Sequence, residues 1–254
     1  MDLGLRDRVY IVTGGSRGLG RAVAETLVAE GARVVVSSRD EESVSRSATD
    51  LGGPEHAVGL VADNADPSAP GRLVAAAIAR FGRVDGALVS VGGPPAGTVD
   101  SLEDEDWRDA FESVFLGALR VARAVAEAQP QDGASIALVL SSSVRSPIAG
   151  LAASNGLRPG LAMLAKTLAD EWGPKGIRVN GLLPGRIATD RAREIDEATG
   201  DPEAARQRIT ATIPLGRYGD PAEFGRVAAF VLSPAASYVS GAMVAVDGGQ
   251  LRTI

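Results

Sequence analysis

The residues of this chain best suited to bind a ligand are the glycines of its N-terminal segment Thr13-Gly14-Gly15-Ser16-Arg17-Gly18-Leu19-Gly20, which ends an apolar run. Closely spaced glycines allow a sharp backbone turn and the close approach of a phosphate group. If a helix begins within this segment, its first amides and its dipole attract the same anion. A glycine-rich turn alone can be purely structural. Between a strand and a helix, it predicts a dinucleotide pyrophosphate site.

Few side chains of this sequence can transfer a proton near neutral pH. The chain has no cysteine and a single histidine, His56, so neither a thiolate site nor a histidine cluster is available for a metal ion. Its three tyrosines are Tyr10, Tyr218 and Tyr238, and none of them has a sequence-based claim to a reaction site. We therefore predict no metal site.

Composition narrows the class of protein. The chain has 254 residues, of which 45% are hydrophobic and 23% charged, with a formal net charge of −6. These values are ordinary for one globular α/β domain and argue against non-specific nucleic-acid binding. The N-terminus lacks the apolar core of a signal peptide, and no apolar run approaches the ~18–20 residues of a membrane span. We expect a cytoplasmic protein that contacts neither nucleic acid nor membrane.

Short apolar runs alternate with longer segments of helical periodicity. The predicted strands are Val9–Thr13, Arg33–Ser37, Ala57–Val61, Val84–Val91, Ser135–Leu140, Ile177–Leu183 and Met243–Val246. The predicted helices are Leu19–Glu30, Glu41–Asp50, Pro67–Phe81, Leu102–Ala128, Leu161–Trp172 and Pro221–Leu232. Apolar strands without polar alternation are typical of a parallel sheet buried on both faces. The prediction is a single Rossmann-like domain over residues 1–254, with a doubly wound, parallel, seven-stranded sheet.

The segment 186–214 interrupts this alternation. It is charged, contains Gly200-Asp201-Pro202, and follows the sixth predicted strand. Because ligands of open α/β sheets bind beyond the carboxyl ends of the strands, the segment is well placed as a substrate lid. The alternative is a surface helical hairpin without a role.

Several motifs resemble those of the short-chain dehydrogenase/reductase family. Thr13, Gly14, Gly18 and Gly20 match the family motif T-G-x-x-x-G-x-G. The resemblance continues through Pro184-Gly185-Arg186-Ile187-Ala188-Thr189, Ile213-Pro214-Leu215-Gly216-Arg217 and Val246-Asp247-Gly248-Gly249. It therefore covers essentially the whole chain and implies an oxidoreductase with a nicotinamide dinucleotide.

The resemblance also implies which residues contact the cofactor. Pro184, Gly185 and Thr189 fall where the family brackets the nicotinamide and its carboxamide, and Asp63 falls where it contacts adenine. For Asp63 the alternative is a turn or helix cap. The full implied set is Gly14, Ser16, Arg17, Gly18, Leu19, Gly20, Ser38, Arg39, Asp63, Asn64, Gly92, Arg158, Pro184, Gly185, Ile187 and Thr189.

The charge at the end of the second strand predicts NADP(H) rather than NAD(H). Users of NAD with this fold present an acidic residue there, which binds the ribose 2′-OH. This chain has Ser38 and Arg39 instead, and Arg17 lies in the glycine segment. A guanidinium can donate two hydrogen bonds to a 2′-phosphate. Asp40 follows directly, and the alternative is that both arginines are solvated surface charges.

The proton-transfer residues of the family are mostly absent. The family uses Asn, Ser, Tyr and Lys, and its spacing applied from Ser141 places Ser154 at the Tyr position and Arg158 at the Lys position. Val114 occupies the Asn position. The resemblance is thus to an atypical member with Ser-Asn-x-x-Arg in place of Tyr-x-x-x-Lys, and its candidate catalytic residues are Ser141, Ser154 and Arg158. Which serine of 141–143 lines the site stays open, because serines at a strand end also cap backbone groups.

Pro159 affects the geometry of this candidate site. Inside a helix, proline removes one N–H and clashes with the carbonyl of Asn155. The sequence therefore predicts a helix that begins near Arg158 or kinks there. Ser154 and Arg158 share a face only if the helix runs through both.

The predicted function is an NADP-dependent oxidoreductase of a small carbonyl or alcohol substrate, in which a water polarised by Ser154 and Arg158 delivers the proton. One alternative is an NADP-binding protein without redox turnover, which would act as a sensor or as a silent subunit. Another is a non-redox enzyme, such as a dehydratase or isomerase, on the same scaffold. The resemblance further implies a homotetramer that pairs through the fourth and fifth helices and the C-terminal strand.

Overall fold

The predicted parallel sheet is present in the computed structural model, which describes residues 1–130 and 132–253. Its strands are β1 (Val9–Val12), β2 (Arg33–Ser38), β3 (Ala57–Val61), β4 (Gly86–Val89), β5 (Ala134–Val139), β6 (Ile177–Pro184) and β7 (Met243–Val246). They pair in the order β3-β2-β1-β4-β5-β6-β7. The order reverses direction between β1 and β4, and in open α/β sheets ligands bind at such a switch point. The predicted fold class is confirmed.

Helices cover both faces of the sheet. They are α1 (Gly18–Ala29), α2 (Glu41–Asp50), α3 (Ala69–Phe81), α4 (Asp104–Ala110), α5 (Gly117–Ala128), α6 (Ala152–Trp172), α7 (Asp190–Glu197), α8 (Pro202–Thr210) and α9 (Pro221–Leu232). Apolar residues of α3, α5 and α6 pack on one face, and those of α1, α2 and α9 pack on the other. Every position of β1, β4 and β5 is buried, which accounts for their lack of polar alternation.

Three predicted helix starts are wrong, and for two of them the local reason is visible in the structure. The third helix begins at Ala69 instead of Pro67, because the Asp66 carboxylate accepts the backbone N–H of Ser68 at 2.8 Å and forms a turn there. The predicted helix Leu161–Trp172 corresponds to α6, which begins at Ala152 and continues through Pro159. The Asn155 side chain stabilises this early start. Its Nδ2 donates to the carbonyl of Ile148 at 2.8 Å, and its Oδ1 accepts from the amide of Ile148 at 3.0 Å.

The long predicted helix Leu102–Ala128 begins two residues later than predicted, at Asp104, and then continues to Ala128. A π-helical turn, Phe111–Leu116, lies between α4 and α5. π-Turns within helices often occur at functional sites. Directly after this turn, a Cβ on Gly117 would overlap the backbone carbonyl of Asn64. The glycine therefore allows α5 to approach the loop that follows β3.

The segment 186–214 contains α7 and α8 and lies at the carboxyl edge of the sheet. Its first residues are held to the body by a short parallel bridge between Ile187 and Gly219. Over the described ranges, no helix is both long and apolar enough to cross a membrane.

Candidate active site

The glycine segment forms a tight cradle between β1 and α1. Gly14 has a φ of +60°, in the left-handed region, and a Cβ there would lie 2.8 Å from the carbonyl oxygen of Ser90. A Cβ on Gly20 would overlap the carbonyl oxygen of Gly14. Thr13 joins the two switch-point strands, since its hydroxyl donates to the Ser90 carbonyl at 2.8 Å and accepts the Ser90 amide at 2.9 Å. Side chains are thus excluded where backbone must approach a ligand.

The first turn of α1 supplies donors to this cradle. Arg17 is the N-cap residue, and its side chain makes no capping hydrogen bond. The amides of Gly18, Leu19 and Gly20 therefore have no side-chain acceptor from the cap, as expected of an anion site at a helix N-terminus. Gly18 faces segment 186–214, because a Cβ on it would lie 3.7 Å from Cγ2 of Thr189. This cradle fits the pyrophosphate of a dinucleotide.

The end of β2 places Arg39 and Asp40 in different environments. The Asp40 carboxylate caps α2 by accepting the Ser43 amide at 2.7 Å, and this hydrogen bond lowers the pKa of Asp40. Ser38 accepts the Asp40 amide at 3.3 Å, and its hydroxyl also lies 3.3 Å from that of Ser43. Arg39 is exposed, and no carboxylate of residues 1–130 or 132–253 pairs with it. The acidic residue is thus engaged in a cap, while the guanidinium is available to a ligand.

The residues predicted at the adenine end are held by turns. Asp63 accepts the amide of Ala65 at 3.0 Å, so the alternative of a turn cap applies to it in this structure. Asn64 is buried beside Gly117 of α5. Arg17 is exposed and lies 3.7 Å from Glu194 of α7, which joins the glycine segment to segment 186–214. Ser16 lies half-buried in the cradle itself.

The residues predicted at the nicotinamide end follow β6. Pro184 ends the strand, and the Gly185 amide donates to the carbonyl of Val246 at 3.0 Å. Ile187 is buried, while Thr189 caps α7 by accepting the Ala192 amide at 3.3 Å. Gly92 lies across the cleft, in the exposed loop after β4. These positions surround the carboxyl edges of β4, β5 and β6.

Ser154 and Arg158 both lie on α6 and are both buried. The Ser154 hydroxyl lies 3.3 Å from that of Ser143, and either oxygen can be the donor. The Ser141 hydroxyl instead accepts the Ser143 amide at 3.0 Å and caps the short helical turn Ser142–Val144. The structure therefore brings Ser143, which the sequence spacing does not select, against Ser154.

Arg158 of α6 is a buried cation whose guanidinium lies against the end of β5. Its Nη1 donates to the carbonyl of Val139 at 2.6 Å. Nε and Nη2 have no hydrogen-bond acceptor, and the guanidinium has no acidic partner, among the residues that the structure describes. Burial lowers the pKa of Arg158 to about 10, so the group is still charged at neutral pH. At neutral pH its charge can therefore stabilise negative charge on a bound ligand.

The remaining family position adds no proton-transfer group. Val114 lies buried in the π-helical turn. Close by, the Trp107 ring packs on α6, since a Cβ on Gly156 would lie 3.0 Å from it.

Of the tyrosines, Tyr10 is buried in β1 and donates to the carbonyl of Leu232 at 3.2 Å. Tyr10 is therefore committed to the core.

Tyr218, just beyond segment 186–214, forms a polar contact with this segment that sequence patterns do not indicate. Its hydroxyl donates to the two carboxylate oxygens of Asp196 on α7, at 3.0 and 3.2 Å. Arg186 approaches the same carboxylate at 3.9 Å, and the Arg206 guanidinium of α8 lies 4.6 Å from the Tyr218 ring centre. Burial, and then the Asp196 carboxylate, raise the pKa of Tyr218. The contact fastens both helices of the segment to the body.

Comparison with known proteins identifies the family. Residues 14–250 match the family profile described as enoyl-(acyl carrier protein) reductase. The chain is similar to the L-rhamnose 1-dehydrogenase (NAD(P)(+)) of Azotobacter vinelandii, at 36% identity over 254 aligned residues, which cover 96% of this chain and 97% of that protein. The family resemblance is confirmed: the chain belongs to the short-chain dehydrogenase/reductase family of oxidoreductases.

Solved structures agree with this assignment. L-sorbose reductase from Gluconobacter frateurii, complexed with NADPH and L-sorbose, has a TM-score of 0.91 at 29% identity and covers 100% of both chains. YwfH, an NADPH-dependent reductase involved in bacilysin biosynthesis, has a TM-score of 0.92 at 26% identity, covering 97% of this chain and 99% of that chain.

Proposed function

We propose that this protein is an NADP(H)-dependent oxidoreductase of a small carbonyl or alcohol substrate, with a proton relay built from Ser154 and Arg158. One observation carries the proposal: a glycine cradle suited to a dinucleotide lies beside a buried group of hydroxyls and one guanidinium. Relatives of similar length are named dehydrogenases or reductases, which supports redox turnover over mere cofactor binding.

The preference for NADP(H) rests on charge. Arg39 is exposed at the end of β2, and Arg17 lies in the glycine segment, where an exposed ion pair with Glu194 is its only acidic contact among described residues. A 2′-phosphate would gain charge-assisted hydrogen bonds from both guanidiniums. Asp40 does not oppose it strongly, because its carboxylate already caps α2. Two structural relatives are described with NADPH.

The chemistry divides between cofactor and protein. A bound NADPH would supply the hydride to the carbonyl carbon. Arg158 would stabilise the negative charge that develops on the carbonyl oxygen, as electrostatic preorganisation requires. A water held by the Ser143 and Ser154 hydroxyls and polarised by the Arg158 guanidinium would relay a proton from solvent to the carbonyl oxygen. The missing tyrosine costs roughly 10²–10⁴ in rate by the usual worth of a general acid.

A single-turnover experiment tests this function. NADPH-loaded protein is mixed with a panel of ketones while cofactor fluorescence is followed. Oxidation of NADPH is expected, with Arg158→Ala costing more rate than Ser154→Ala, because water can replace the serine hydroxyl but not the charge. Lys166→Ala, an exposed charge removal on the same helix, serves as the control. NADPH binding without oxidation by any ketone would favour the sensor or silent-subunit alternative.

Two features of the assembly belong to the same proposal. Segment 186–214 would act as a lid over the nicotinamide end, because α7 contacts the glycine segment through Glu194. The protein would be a homotetramer that pairs through the predicted helices Leu102–Ala128 (α4 and α5) and Leu161–Trp172 (within α6) and through the C-terminal strand β7. The stacked rings of Phe111 and Phe115, 5.1 Å apart, lie at that helical surface, and Phe111 is exposed. Light scattering at micromolar concentration tests the assembly, and a monomer would contradict it.

A further inference from the structure

The charge of Arg158 has no counter-ion in the described part of the chain. Its single hydrogen bond goes to a neutral carbonyl, that of Val139. The loops on either side of the cleft, residues 90–99 and 141–151, contain no aspartate or glutamate. Arg186 and Arg191 of segment 186–214 differ, because they approach Asp196 and Glu194 respectively.

A cation with two donors left free by the described residues, beside a cleft, favours an anion from outside the protein. Removing a guanidinium from water is unfavourable unless an opposite charge and hydrogen bonds compensate for it. The ribose of a nicotinamide cofactor offers neutral hydroxyls, which satisfy donors but do not neutralise the charge. An anionic group on the other ligand of the cleft would satisfy the free donors and neutralise the charge.

We propose that the substrate carries a carboxylate that pairs with Arg158. One guanidinium balances one negative charge, and its planar donors match a carboxylate better than a doubly charged phosphate, which would call for further cations. This inference rests on the proposed oxidoreductase function only for the identity of the second ligand as the substrate.

The spacing on α6 places this carboxylate near the reacting carbonyl. Ser154 and Arg158 are separated by one helical turn, and both are buried on the same side of the helix. If the carbonyl oxygen lies between Ser154 and the guanidinium that stabilises it, a carboxylate on the free donors of Arg158 is one or two carbon atoms away in the molecule. The substrate class is therefore a 2-oxo or 3-oxo acid. Hydride adds to its carbonyl carbon, a proton from water adds to the oxygen, and the carboxylate is unchanged.

Formate is the smallest probe of this site, so its entry does not depend on the shape of the unknown substrate. The melting temperature is measured in formate and in chloride at equal ionic strength. Formate is expected to raise the Tm of the wild type and of Lys166→Met by about 2–4 °C relative to chloride. Arg158→Met and Arg158→Gln are expected to show no such rise. The glutamine variant is uncharged but polar, and it keeps the test valid if the methionine variant does not fold.

A second measurement addresses the substrate class without turnover. Calorimetry on the protein with NADP⁺, which cannot reduce a ketone, compares 2-oxobutanoate and acetoacetate with neutral 2-butanone. Either acid is expected to bind at least about tenfold more tightly than the neutral ketone, a difference that Arg158→Met abolishes.

The outcomes separate the two proposals. An equal formate effect in wild type and Arg158 variants, or no effect in any of them, overturns the carboxylate site. Equal affinity for the acids and the neutral ketone overturns the substrate class. Formate binding at Arg158 in a protein that never oxidises NADPH supports the carboxylate site and refutes the redox function.

Discussion

Replacing Arg158 by methionine is expected to stabilise the ligand-free protein, although the substitution removes a buried hydrogen bond. Burial lowers the pKa of Arg158 from 12.5 to about 10. At about 1.4 kcal/mol per unit, the charged form destabilises the folded state by about 3 kcal/mol. Because the folded pKa is the lower one, this penalty is fully present below pH ~10 and is relieved as the pH rises towards the unfolded value.

The hydrogen bond to Val139 opposes this gain. Its loss costs about 1–2 kcal/mol, the usual worth of a hydrogen bond from a charged donor together with the unsatisfied carbonyl. The net expectation for Arg158→Met is a gain of about 1–2 kcal/mol, or a few degrees in Tm for a chain of this size. The amide nitrogen of Arg158→Gln lies two bonds closer to the backbone than Nη1, so this variant also loses the hydrogen bond to Val139. Because it buries a polar amide, it should be no more stable than the methionine variant.

Urea unfolding at neutral pH and again near pH ~11 measures these differences. The advantage of both variants over the wild type should shrink at the higher pH, where part of the native Arg158 population loses its charge. Lys166→Met controls for the general effect of removing one positive charge from α6. A wild type that is more stable than both Arg158 variants at neutral pH would refute the reasoning, because it would mean that the cation is compensated within the protein.

Three further predictions concern the cofactor, the proposed lid and the pH profile. Arg39→Ala should weaken NADPH binding about tenfold or more and leave the affinity for NADH nearly unchanged. The control Arg46→Ala, on the outer face of α2, should alter neither affinity. Equal or tighter binding of NADH by the wild type would contradict the NADP(H) assignment. Tyr218→Phe should destabilise segment 186–214 by about 1–3 kcal/mol, measured as faster proteolysis within the segment. Tyr238→Phe, at an exposed position, should have no effect. Equal proteolysis rates in the two variants would show that the contact with Asp196 does not stabilise the segment. The rate of carbonyl reduction should be constant from pH ~6 to ~9 and should fall as Arg158 loses its proton near its pKa of about 10. A change in this rate between pH ~7 and ~9 would instead indicate a proton donor other than water.

The sheet could be predicted because its signals are local and repeated. Each strand is a short apolar run without polar alternation, and burial on both faces requires that pattern wherever the strand lies in the sequence. The glycine segment was equally readable, since a left-handed φ at Gly14 and the close approach of Gly20 to Gly14 leave no room for another residue type. These constraints act on a few neighbouring residues and therefore appear in the sequence.

The active-site details depend on contacts between distant segments, and sequence spacing did not indicate them. The approach of Ser143 to Ser154 depends on the short helical turn after β5, in which Ser141 is used as a cap. The early start of α6 depends on the Asn155 side chain, which binds the backbone of Ile148 and offsets the effect of Pro159. The expectation that proline interrupts a helix is based on the helix residues alone and does not include a contact of this kind.

The family pattern gives Arg158 a role in binding the cofactor and the carbonyl group, and its buried charge gives it a role in binding an acidic substrate. These two interpretations of the site are compatible. A lysine at the same position keeps a small, flexible charge that can adjust to the ribose and to a neighbouring phenol, whereas an arginine presents fixed planar donors. With no phenol nearby, the guanidinium of Arg158 has only the Val139 carbonyl as an acceptor among described residues, and its charge lowers the stability of the ligand-free protein. A ligand anion restores that stability on binding. The same buried charge thus lowers the stability of the free protein and raises its affinity for an acidic substrate, so the stability gain of Arg158→Met and the loss of carboxylate binding should appear in the same variant.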